Sequence, residues 1–249
     1  MIIDVHSQLG KHPLFMFEQT LDEILGEMRK YGIEKTFLSS APKMRFKEAN
    51  DRVEQAVRNH PEKLVGFFNV NPVHPDALLE IDRAIGLGLK GLMLDPEFHF
   101  SMERPLTPGN PMLPPIFEKA VEKGFPILIC IPNLRVGHSH DNALQQYNGL
   151  DELMSRFPEV RTIVDLFWPG IIELCKKHSN LYVDSAGASA GRISSLVAGL
   201  GATRLLFGSS SPRYHTGNHK QTVEWSKITP YQRKLILGGN AERIFKDLL

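Results

Sequence analysis

The chain has 249 residues, 42% of them hydrophobic and 23% charged, with a formal net charge of +1, a balance ordinary for a soluble globular protein. A charge so near zero gives no reason to expect nucleic acid or an anionic membrane as partner. No apolar run approaches a membrane span, and no basic segment with an apolar stretch behind it opens the chain, so a cytoplasmic protein is expected.

Ile2, Ile3 and Val5 begin the chain as a β-branched run that reads as a buried strand. Asp4, His6 and Gln8 alternate with it and are expected on one face. After a loop over 11–19, Thr20 is a good N-cap with Glu23 completing a capping box, and Leu21, Ile24, Leu25 and Met28 recur at helical spacing until Tyr31-Gly32. Strands are then predicted over 33–40, 64–70, 89–94, 126–131, 160–166, 181–183 and 204–207. Helices are predicted between them over 47–59, 76–85, 116–123, 150–156, 171–177 and 193–200. The tail over 221–249 reads as helical, interrupted at Pro230 and Gly238-Gly239. The longest loops are 95–115 and 132–147.

Eight short strands alternating with amphipathic helices describe a parallel sheet with helices outside. The count and the length favour one (β/α)8 TIM barrel, a single domain over 1–249, above an open doubly wound sheet. There is no Gly-x-Gly-x-x-Gly and no Walker loop to suggest a nucleotide site. Cys130 and Cys175 lie in apolar runs far apart and are expected as buried free thiols.

Several stretches resemble one family. Ile3-Asp-Val-His-Ser-Gln8, Phe157-Pro158, Asn180-Leu-Tyr-Val-Asp184, Arg204-Leu-Leu-Phe-Gly-Ser209 and Ile236-Leu-Gly-Gly-Asn-Ala241 look like the amidohydrolase superfamily, in its amidohydrolase-related (amidohydrolase 2) branch. That branch includes metal-dependent decarboxylases, hydratases and lactonases, and the resemblance implies the barrel fold, a hydrolase and a homodimer. It also implies a divalent ion at the barrel mouth. The family holds that ion with Asp-x-His-x-His on the first strand, a histidine after the fifth, His-x-Gly after the sixth and Gly-Ser-Asp-x-Pro after the eighth.

Here Gln8, Cys130, Leu166 and Ser210 stand at those positions, and the strand that often carries Lys-x-His-Pro reads Met93-Leu-Asp95-Pro96. Only His6 is retained. A divalent site needs roughly four nitrogen, carboxylate or thiolate donors, and His6 with Cys130 supply two. The expectation is therefore no metal and no cofactor. The protein would have lost the family's metal chemistry and would keep a pocket for a small, perhaps carboxylated, molecule at the C-terminal face of the barrel.

Two alternatives accompany that expectation. One is a metal-independent, lactonase-like hydrolase using His6 with Asp95 or Asp165 as acid and base. The other is a metal site rebuilt from the loop residues His138, His140, Asp141, His215 and His219, whose spacings are workable for ligands but also common in exposed loops. Cys130 reads as packing more readily than as a nucleophile, because apolar burial raises a thiol's pKa. Asp4 is expected to hydrogen-bond backbone or orient a neighbour. Gln8, Cys130, Ser210 and the arginines Arg135 and Arg213 are candidate ligand-binding residues, the arginines for a carboxylate.

Overall fold

The computed structural model describes residues 1–12, 18–41, 46–95, 109–130, 140–165 and 170–249, the side chains of 140–146 excepted. Its strands are β1 (Ile3–Lys11), β2 (Glu18–Gln19), β3 (Lys35–Ser40), β4 (Leu64–Asn69), β5 (Gly91–Leu94), β6 (Ile127–Ile129), β7 (Thr162–Val164), β8 (Leu181–Asp184) and β9 (Leu205–Leu206). The larger helices between them are α1 (Leu21–Tyr31), α2 (Phe46–Asn59), α3 (Ala77–Gly86), α4 (Pro114–Lys123), α5 (His140–Arg156), α6 (Ile171–Lys177) and α7 (Ala190–Leu200). After β9 come α8 (Thr216–Trp225), α9 (Pro230–Lys234), a π-turn over Leu235–Gly239 and α10 (Asn240–Ile244).

All strands but β2 pair in parallel in the order β1-β3-β4-β5-β6-β7-β8-β9. The sheet closes where β1 meets the segment after β9: Val5 N donates to Phe207 O at 2.9 Å and Gln8 N to Ser211 O at 2.8 Å. This is the expected TIM barrel. β2 lies outside it, antiparallel to the end of β1, an addition that its two polar residues, Glu18 and Gln19, gave no strand signal for.

Local signals set the helix ends. Thr20 and Glu23 form the expected capping box, and Gly32 ends α1 at φ 67, a left-handed position that glycine takes without a Cβ penalty. Two helices start well before the residue their periodicity predicts. α5 begins at His140, inside the expected loop, because a run of Asn and Gln hides its helical period. α8 begins at Thr216, since the His215 side chain accepts from Asn218 N as its N-cap.

Apolar side chains fill two layers. One lies between the strands and the surrounding helices. The other fills the barrel interior, with Ile3, Val5, Phe37, Phe67, Met93 and Leu128 among its members. The last residues plug one end of that interior: Phe245 packs edge-on against Phe37 at 5.5 Å, and Arg161, just before β7, holds Asp247. Because the N-terminal ends of the strands are covered in this way, polar chemistry is left to the opposite, C-terminal mouth. Both cysteines are free and buried, as expected. Among the described residues, no helix is long and apolar enough to cross a membrane.

Candidate active site

β1 delivers the central residue of the mouth through an irregularity in its pairing. Its register against β3 shifts between Asp4 and Ser7, as an inserted residue does when a strand is bulged. The expected common face of Asp4, His6 and Gln8 is therefore corrected. Asp4 and Ser7 border a small cleft with Ile24 and Met28 of α1. His6 and Gln8 instead reach Cys130 and Met93, both part of the barrel interior. Simple alternation fails here because one extra residue exchanges the two faces.

The buried His6 ring is held from both sides. Nδ1 lies 2.8 Å from Asp184 Oδ2 and Nε2 lies 3.4 Å from Cys130 Sγ. Asp184 is itself fixed, since its Oδ1 accepts from Ala186 N at 2.5 Å. The carboxylate of Asp165 completes the group: one ligand-type atom from each of His6, Cys130 and Asp165 lies within 4.8 Å of the others. Residue-counting along the sequence found two donors, His6 and Cys130. The ends of β1, β6 and β7 bring a third, one residue before the position the family pattern would use.

The electrostatics of the group follow from burial and crowding. Burial opposes a charged His6 imidazole, but the hydrogen bond and charge of Asp184, with Asp165 and Asp4 nearby, hold its pKa above the usual range. Burial pushes the Cys130 thiol well up, and Asp165, Asp95 and Asp184 push it the same way, with Arg213 opposing them.

Behind His6 a second polar layer fixes the backbone. Asp4 Oδ1 accepts from His6 N at 3.0 Å and Ser209 N at 2.9 Å, and its Oδ2 accepts from Ser209 Oγ at 2.6 Å. Asp4 therefore orients a neighbour, as expected. Burial outweighs these bonds and raises its pKa from 3.8 to about 6. Between those values the folded chain binds more protons than the unfolded one, so stability falls as pH rises through this window. In denaturation curves taken from pH 4 to 7, wild type should lose about 2 kcal/mol relative to Asp4→Asn. Parallel curves for the two proteins would remove Asp4 as the source.

The remaining predicted residues divide. Asp95 is buried and acts on the Cys130 thiol. Gln8 Nε2 is directed at Met93 Sδ, 3.6 Å away. Ser210 is at the mouth with φ 51, a left-handed conformation rare for serine, and its N–H donates to His6 O at 2.7 Å. Arg213 is close enough to lower the pKa of both Cys130 and His12, and burial with that charge takes His12 down to about 4. Arg135, His138 and Leu166 lie outside the described residues, as do the side chains of His140 and Asp141.

The two histidines expected for a rebuilt metal site that are described have structural roles. His215 caps α8, and His219 Nε2 is 2.5 Å from Ser185 O with its ring stacked on Tyr214. Among the described residues, the cluster suited to an ion is His6, Cys130 and Asp165. Asp184 is the residue that sequence reasoning missed. It appeared only as the end of a family-like stretch. Its place at a strand C-terminus, like Asp95 and Asp165, was the available signal.

Comparison with known proteins places this geometry in context. The sequence profile of a family described as Amidohydrolase matches residues 20–246. A dihydroxybenzoic acid decarboxylase from a Polaromonas species, solved with bound manganese and the inhibitor 2-nitroresorcinol, is similar in structure. Its TM-score is 0.77 at 18% identity, over 98% of this chain and 96% of that one. The 4-oxalomesaconate hydratase of Rhodopseudomonas palustris has a TM-score of 0.76 at 18% identity, over 100% of this chain and 96% of that one. A TIM-barrel protein from Bordetella bronchiseptica gives 0.76 at 18% identity, over 99% of both chains. At these identities the likeness is one of fold. A comparison with curated protein sequences finds no match.

Proposed function

Since the chain belongs to the amidohydrolase family, we propose that it is a hydrolase of a small, carboxylated molecule, with His6 as its central acid–base group. The observation that carries this reading is the His6 ring held at 2.8 Å by Asp184 through Nδ1, with Nε2 turned to Cys130 and Asp165. A carboxylate on Nδ1 favours the tautomer with the proton there, which leaves the Nε2 lone pair facing the mouth. In this tautomer His6 takes a proton from an attacking water and returns it to the leaving group. Asp165 and Asp95, which act on the Cys130 thiol beside Nε2, are the carboxylates to help carry that proton, and Arg213 brings the positive charge a carboxylated substrate would meet.

The family also implies a divalent ion, and the donors present fit one. His6, Cys130 and Asp165 offer nitrogen, sulfur and oxygen in one cluster. An ion held there would occupy His6 Nε2 and act as a Lewis acid on a substrate carbonyl or a water, and the proton would then pass through Asp95 instead of His6.

A screen of lactones, esters and amides of small carboxylic acids tests the reading. Turnover by wild type should fall about 10²–10⁴-fold in His6→Ala. Undiminished turnover in that variant would take His6 out of the reaction. A second reading, in which catalysis has been lost and only a binding pocket remains, draws support from Gln8, directed at Met93, and from Ser210 in place of an acid. It predicts that small carboxylic acids raise the melting temperature while none of the screened compounds is turned over.

A further inference from the structure

The donor set at the mouth is not one that manganese prefers. Hard ions such as manganese take carboxylate, carbonyl and water oxygens, whereas thiolate sulfur with imidazole nitrogen selects zinc. In this barrel the sulfur is central. Cys130 Sγ is 3.4 Å from His6 Nε2, and a carboxylate oxygen of Asp165 lies within 4.8 Å of the sulfur and of a ring nitrogen of His6. Two ligands on a tetrahedral zinc, with bonds of about 2.3 Å to sulfur and 2.0–2.1 Å to nitrogen, sit about 3.6 Å apart. The His6–Cys130 pair is already at that spacing.

One feature of the surroundings supports an ion here. The second ring nitrogen of His6 is held by Asp184, whose other oxygen is anchored on Ala186 N. Metal-ligating histidines carry such an outer carboxylate, which fixes the ring and makes it a better donor.

We infer that His6, Cys130 and Asp165 form a thiolate-containing divalent-ion site that takes zinc in preference to manganese. The inference rests on reading this mouth as the active site, but its ligand set shares only His6 with the pattern the sequence resembles. Gln8 and Ser210 take no part. On binding, the Cys130 S–H bond is replaced by a sulfur–metal bond and its proton is released to solvent, with no change in oxidation state. Among the described residues three protein ligands converge, so an ion held by them alone would have a position left for water or substrate.

Titrating metal-free protein with cobalt(II), an optically visible stand-in for zinc, tests the site without reference to turnover. A near-ultraviolet sulfur-to-cobalt charge-transfer band should grow to one equivalent and be abolished by added zinc but not by equimolar manganese. The band should vanish in Cys130→Ser and persist in Cys175→Ser, with circular dichroism checking that both variants are folded. Asp184→Asn should weaken zinc binding by about 10–100-fold. Absence of the band, its persistence in folded Cys130→Ser, or displacement by manganese as effective as by zinc would each overturn the proposal.

The two readings fail separately. A cobalt–sulfur band in a protein with no turnover leaves the site and removes the hydrolase. Chelator-resistant turnover with no band does the reverse.

Discussion

Asp184→Asn should lower turnover by about 10²–10⁴-fold while the barrel stays folded. The reason is the direction of two hydrogen bonds. Asp184 Oδ1 accepts from Ala186 N, and Oδ2 faces His6 Nδ1. An asparagine there would keep its carbonyl oxygen on the Ala186 N–H, since its NH₂ cannot accept, and would turn that NH₂ toward His6. Nδ1 must then accept, which moves the ring proton to Nε2 and removes the lone pair from the mouth. Nitrogen NMR of the His6 ring should report this tautomer exchange alongside the kinetics. Gly208→Ala should act in the same direction without altering a polar group, because its Cβ would stand 2.8 Å from Asp184 Cγ and displace the carboxylate. Wild-type turnover in folded Asp184→Asn would show that the carboxylate does not set the ring.

The largest effect on stability is expected in the barrel interior. Phe67 is fully buried and stacks on Phe37 at a centroid distance of 5.2 Å. Phe67→Ala should cost about 3–5 kcal/mol, the usual range for emptying an aromatic site in a packed core. The ring lies over Gly91 of β5, where an added Cβ would meet its edge atoms at 2.5–2.6 Å. Gly91→Ala alone should therefore cost about 1–3 kcal/mol by overpacking. Combined, the two changes should cost less than their sum, since removing the ring makes room for the new methyl. Strict additivity in urea denaturation would mean that Phe67 and Gly91 are not the coupled pair that the packing describes.

Much of the architecture was legible because it depends on short-range chemistry. The capping box at Thr20 and Glu23 and the glycine at the end of α1 fall where the residues predict them. The alternation of apolar runs and amphipathic helices led to the barrel, and the family-like stretches agreed with it. The misplaced elements share a cause. α5 and α8 begin in polar segments whose helical character comes from a histidine cap or from residues without an apolar stripe, and periodicity carries no signal there.

The site was less legible. His6, Cys130, Asp95 and Asp165 could be chosen individually from strand ends, but their grouping could not. A match to ligand positions one by one compares residue types along a line. It registered Leu166 as a lost donor and had no means of seeing that Asp165, one residue earlier, lies beside His6 and Cys130. Asp184 was overlooked for a similar reason, since its partner is 178 residues away.

By itself, the order of residues determined the barrel, the end of it that gathers polar side chains, and His6 as the residue to watch. Those properties follow from hydrophobic period and from where strands meet loops, both readable along the chain. Tertiary structure alone decided which groups surround His6. A bulge in β1 turned its side chain inward, and closure of the sheet brought Cys130, Asp165 and Asp184 around one ring. Such convergence depends on register and barrel curvature across strands distant in sequence, so no local pattern of residues records it.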